Sequence, residues 1–109
     1  MVEYTLDPLD LIFGSLAHPI RRGILRQLMK KEMRISDIAK PYKMTFAGIS
    51  KHLGVLEKAK LIRKRREGKE QIVQLSPTAL KDAAQYLKEY EKLWNARFDA
   101  LQKYLNETA

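Results

Sequence analysis

The chemically versatile side chains of this sequence are few. There are four serines (15, 36, 50 and 76), two histidines (18 and 52) and no cysteine. Without cysteine there is no disulfide, no thiolate nucleophile and no thiolate metal ligand. Ser50 and His52 are two residues apart within one predicted helix, so they do not face each other and cannot act as nucleophile and base. His18 and His52 fall on different predicted helices, which gives no ligand pattern for a transition metal. No Gly-rich phosphate loop or paired-carboxylate motif is present, so neither an enzyme nor a cofactor is expected. The chemistry that remains is electrostatic. Arg63, Lys64, Arg65, Arg66 and Lys69 crowd a short stretch around Gly68, against only Glu67 and Glu70. Arginine forks match phosphate oxygens, and phosphate contacts dominate the affinity of nucleic-acid binders.

The charge distribution sharpens this. The 109 residues carry a net charge of +8. Residues 21–70 hold sixteen bases against five acids, residues 1–20 have three acids and no base, and residues 71–109 are balanced. A cationic middle between non-cationic ends suggests a face that meets a polyanion. A lysine-rich solvated surface would be the ordinary alternative. The longest apolar run near the start, Leu11 to Phe13, ends at Gly14. Neither a signal peptide nor a membrane span is expected, and a cytoplasmic, nucleoid-associated location follows as an expectation.

The elements that must position these groups read as mainly α with a small β-hairpin. Asp7-Pro8 forms a helix start, and His18-Pro19 starts a second helix with Ile20, Ile24, Leu25 and Leu28 as its apolar stripe. Arg21, Arg22 and Arg26 project away from that stripe. Ser36 is a candidate N-cap for a short third helix ending before Pro41. Thr45 caps a fourth helix whose inward face is Ile49, Leu53 and Leu56. Residues 61–66 and 71–75 are candidate strands joined through Gly68. Ser76-Pro77 opens a long last helix in which Leu80, Leu87, Trp94 and Leu101 fall seven apart, with Ala84, Phe98 and Leu105 beside them. Running to Leu105 it would be about 43 Å long, more than so small a domain can cover. A second copy of the chain is therefore expected along it, with Leu9, Ile12 and Leu16 of the first helix contributing. All 109 residues read as one domain: a recognition helix at about 45–59, a wing at about 61–75 and a dimerisation helix at about 77–105.

A groove-sized helix followed by a cationic β-ribbon is the layout of a winged helix-turn-helix. Thr45, Ala47, Gly48, Ser50 and Lys51 lie in the N-terminal half of the fourth helix, where base edges are read. Phe46 is either packed inward, the favoured reading, or touches a thymine methyl. Strand alternation sends Arg63 and Arg65 to one face of the wing and Lys64 and Arg66 to the other. Arg65, Arg66 and Lys69 surround the turn and are the first choice for phosphate contacts. A charged hairpin can also serve only to protect a sheet edge. His52 is expected to pack between helices through a hydrogen bond. The last-helix aromatics Tyr86, Tyr90, Trp94, Phe98 and Tyr104 are expected to form dimer core in preference to an effector pocket.

LAHPIRRGILRQL, ISDIAK and the SKHLGVLEKAKLI core within residues 45–62 together resemble the ArsR family of transcriptional repressors, over about residues 9–105. The resemblance implies a homodimer paired through its first and last helices. It also implies insertion of the helix matching Thr45 to Lys58 into the DNA major groove, with the hairpin touching flanking DNA. The family's metal sensors carry a Cys-x-Cys segment where this chain has Arg34 and Ser36, and a second site with His on the last helix, which here holds Asp82, Glu89, Glu91 and Asp99 but no His. The ending WNARFDALQKYL resembles a subgroup with no known metal site. The expected function is a sequence-specific, metal-independent repressor that binds an inverted-repeat operator in double-stranded DNA; no effector can be inferred. The rivals are a sequence-tolerant architectural DNA-binding protein and a protein-interaction module, and the latter has no use for the charge surplus of residues 21–70.

Overall fold

A computed structural model describes residues 7–108. It contains α1 (Pro8–Leu16), α2 (Pro19–Lys30), β1 (Met33–Arg34), α3 (Ile35–Ala39), α4 (Phe46–Lys58), β2 (Ile62–Glu67), β3 (Glu70–Leu75) and α5 (Pro77–Thr108). Mostly helical with one small antiparallel sheet, this is a winged helix-turn-helix. The sheet order is β1-β3-β2, so β3 is central.

Local chemistry sets the helix boundaries. Asp7 accepts from the Leu9 amide at 2.9 Å, and Asp10 reaches back to the Asp7 amide at 3.2 Å, closing a capping box ahead of α1. His18 Nδ1 accepts from the Ile20 amide and caps α2, which starts on Pro19. Carbonyls at the end of α1 are satisfied by side chains of α2. Arg21 donates to Ser15 O at 2.6 Å and Gly14 O at 3.2 Å, and Arg22 donates to Leu16 O at 2.8 Å. These two arginines, which project away from the apolar stripe of α2, fasten α1 to α2.

Two features depart from the sequence reading. The strand β1 was not anticipated; it has two residues, too few for alternation to show. The third helix starts two positions earlier than Ser36 predicts, with Arg34 at the cap and no side-chain cap bond, because Ile35 is drawn into the core with Ile38.

The core gathers Ile24, Leu25 and Leu28 of α2, Ile35 and Ile38 of α3, Ile49, Leu53 and Leu56 of α4, Leu61, Ile62 and Val73. Ile12 belongs to it as well, at 3% exposure, which corrects its assignment to a dimer contact: it points into its own protomer. Leu9, Leu16 and Leu80 are half-buried against the same core. The last helix docks only at its start, through Ala79, Ala83 and the half-buried Leu80 and Tyr86. Beyond it, Leu87, Trp94, Phe98 and Leu101 are more than half exposed. The consequence shows in the overall dimensions, 68 × 41 × 25 Å with a radius of gyration of 19.2 Å, against about 13 Å for a compact chain of this size.

Candidate nucleic-acid interface

The helix expected to read base edges is α4. Thr45, in extended conformation, accepts the Gly48 amide on Oγ1 at 3.1 Å, the cap its position predicts. Gly48 sits close to Met44. A Cβ there would lie 3.0 Å from Met44 Cε and 3.4 Å from Thr45 Oγ1. Gly48 thus serves the close packing of the helix start, and the Thr45 hydroxyl accepts the cap bond with its own O–H still able to donate. Ala47 and Lys51 are exposed and Ser50 is half-exposed, on the side of α4 away from Ile49, Leu53 and Leu56, all of which are fully buried.

Phe46 corrects the favoured reading. It is 66% exposed, although it shares helical spacing with Ile49 and Leu53. Met44, the residue before the cap, packs against the core instead, as a hydrophobic staple does at a helix start. That leaves the ring of Phe46 outside.

The C-terminus of α4 is closed by a motif the sequence did not disclose. The Leu61 amide donates to Leu56 O at 3.0 Å and the Lys60 amide donates to Glu57 O at 2.9 Å. Lys60 adopts φ +61°. This is the Schellman arrangement with lysine at the position where glycine is usual, and Leu61 and Leu56 are both buried beside it. The turn delivers the chain directly into β2.

The wing is β2 and β3 in register from Ile62↔Leu75 to Glu67↔Glu70. Gly68, at φ +61°, opens the two-residue turn. Its two faces differ in charge. On the outer face Arg65 donates to both carboxylate oxygens of Glu32 at 2.6 Å each and to Gln74 at 3.2 Å. The guanidinium holds Glu32 below the usual carboxylate range. Arg34 likewise engages Glu70 at 3.0 Å and Asp37 at 3.1 Å. Ile72 lies opposite both Arg34 and Arg65 in register and is buried, shielded by their aliphatic stems. Arg65 therefore differs from the expectation that it is a free phosphate ligand: it ties the wing to the start of β1. On the other face Lys64 is half-buried, 3.8 Å from Glu57 of α4. Arg66, in register with Gln71, meets no carboxylate among the described residues and donates only to Gly68 O at 3.3 Å. Lys69 stands at the turn, exposed.

Arg66 and Lys69 share an open groove of about 480 Å³ with Phe46 and with Ile35 and Ser36 of α3. The start of α4 and the wing cations Arg66 and Lys69 thus converge on one concave surface. His52 lies behind it. Its Nδ1 is 3.4 Å from Arg21 Nη1 and its ring is 4.6 Å from that of His18, the helix-packing role expected of it. Burial, followed by the charges of His18 and Arg21, lowers its pKa below the ordinary 6.5. No spacing rule in the sequence says that the two histidines meet. Among the described residues no group of three or more His, Cys, Asp or Glu could hold a metal ion, and no helix is long and apolar enough to cross a membrane.

A helix start and a cationic β-ribbon opening on one groove define a DNA-binding winged helix-turn-helix of the transcription-regulator class. The model of the bacterial regulatory proteins of the arsR family matches residues 18–64. The transcriptional repressor SdpR of Bacillus subtilis (strain 168) is 32% identical over 76 residues, covering 70% of this chain and 84% of its own. The chain belongs to the ArsR family and is a transcriptional regulator. Among solved structures, an ArsR family transcriptional regulator superposes with a TM-score of 0.78 at 29% identity, covering 82% of this chain and 98% of that one. The homodimeric winged helix-turn-helix DNA-binding domain of Mb0332 from Mycobacterium bovis does so with a TM-score of 0.62 at 25% identity, covering 84% and 82%.

Proposed function

We infer that this protein is a homodimeric repressor that binds an inverted-repeat operator and responds to no metal. The observation that carries the reading is the groove shared by the start of α4 and the cations Arg66 and Lys69. In the bound state α4 lies in the major groove, Ala47, Ser50 and Lys51 face base edges, and Arg66 and Lys69 hold flanking phosphates. The uncovered stripe of Leu87, Trp94, Phe98 and Leu101 pairs with a second copy, helped by the half-buried Leu9, Leu16 and Leu80. Pairing sets two reading heads about a two-fold axis, which a palindromic site mirrors. Repression is the activity named for SdpR, and a homodimer is named for Mb0332. The protein acts on DNA in the cytoplasm and performs no catalysis, and its regulation needs no cofactor.

The test is selection from a random duplex pool, followed by titration with and without Zn²⁺ or a chelator. The expected result is an inverted repeat with half-sites about one helical turn apart and an affinity unchanged by metal. Uniform binding to all duplexes would identify an architectural protein instead, since specific regulators prefer their site by roughly a thousandfold or more. Reversible release by stoichiometric metal would refute the metal-independent reading.

A further inference from the structure

Phe46 is the first residue of the recognition helix, and 66% of it is open to solvent. Single exposed apolar residues are ordinary on protein surfaces, but the surroundings of this one are not. It stands apart from the stripe of α5 and forms one wall of the groove that also holds Arg66 and Lys69. The local apolar demand is already met, because Met44 and Ile49 fill the core beneath the helix start. An aromatic ring is thus presented by the end of a helix on a groove that it shares with the ion pair Arg34–Glu70 and with Arg66 and Lys69, two cations that have no carboxylate partner among the described residues.

The groove chemistry of DNA narrows what such a ring can meet. The C5-methyl of thymine is the one bulky apolar group that a base edge projects into the major groove. Intercalating apolar wedges work from the minor groove, whereas it is the major groove that admits an α-helix. We propose that Phe46 is a specificity-determining residue that reads a thymine methyl in each half-site, with Arg66 and Lys69 holding the adjacent phosphates. The proposal rests on the DNA-reading role inferred above and adds to it a base preference and the residue that carries it.

The test uses the full chain and the duplex it enriches from a random pool. Each thymine is replaced in turn by deoxyuridine, which removes the methyl and leaves every hydrogen-bonding group in place. Removing one buried methyl group should weaken binding about fourfold, and symmetric replacement in both half-sites roughly fifteenfold. Phe46→Ala should bind the thymine and deoxyuridine duplexes equally, while Phe46→Leu, which keeps an apolar tip, should retain part of the difference. The measurement on the unaltered protein requires no variant to fold. An enriched duplex without thymine in its half-sites, a protein indifferent to every replacement, or a difference that persists in Phe46→Ala would each overturn the proposal while leaving the DNA-reading role intact. A pool that yields no preferred duplex would overturn that role, and the proposal with it.

Discussion

Arg65 and Arg66 are neighbours in the sequence, and the structure gives them different partners, so their alanine variants should separate in a salt titration. Arg66 has no acidic partner among the described residues, whereas Arg65 is held by Glu32 through two hydrogen bonds of 2.6 Å. Removing a single phosphate-binding cation lowers the slope of log affinity against log salt by about 0.9. A dimer carries two wings, so Arg66→Ala should lower the slope by about 1.8. Between 50 and 200 mM salt, a fourfold range, that difference amounts to about twelvefold in affinity. The defect of Arg66→Ala should therefore be about twelve times larger at the lower salt. Arg65→Ala should leave the slope unchanged, since its charge is already neutralised within the protein. Because the pair is exposed, solvent screening also keeps its effect on stability small. Fluorescence anisotropy on one labelled duplex at four salt concentrations would measure both. Equal slope changes for the two variants would refute the division of the wing into a structural and a phosphate-binding face.

Trp94→Ala should shift dimers toward monomers in sedimentation at micromolar concentration, by about 3 kcal/mol if the ring is central to the seam; an unchanged dimer would move the interface elsewhere. The neutral form of His52 is favoured in the folded protein, so its contribution to stability is complete above about pH 6.5 and shrinks as the pH falls toward the lowered folded-state value. The urea midpoint should therefore fall between pH 7.5 and 5.5 at fixed protein concentration, and His52→Gln should flatten that dependence. Lys60→Gly should raise thermal stability by roughly 0.5–1 kcal/mol, because a left-handed backbone costs lysine more than glycine; a drop in stability would mean that the Lys60 side chain makes an interaction that matters.

What the sequence disclosed is what local chemistry determines. The caps at Asp7, His18 and Thr45, the buried triplet Ile49, Leu53 and Leu56, and the turn at Gly68 each depend on residues within a few positions. The departures have long-range causes. Arg65 finds its carboxylate 33 residues away at Glu32, and no spacing rule connects them. Ile12 and Leu87 carry the same apolar signal, yet one is inside the protomer and the other outside, because only the first turns of α5 meet the core. Phe46 obeys the inward periodicity of α4 but lies past the point where the core ends. The family resemblance anticipated the winged helix-turn-helix and the membership that the comparisons establish. The residue assignments on α4 and the wing stay as proposals for the salt and thymine experiments.

The helix α5 is divided into two unequal arms. About 10 of its 32 residues, up to Tyr86, lie against the domain, and the remaining 22 extend free. At 1.5 Å per residue the short arm is about 15 Å and the long arm about 33 Å. The short arm is the one next to the wing, since β3 ends at Leu75, two residues before Pro77. The helix that offers the uncovered stripe is thus continuous, through the single residue Ser76, with β3, the central strand of the sheet and one half of the ribbon that carries Arg66 and Lys69 to its tip.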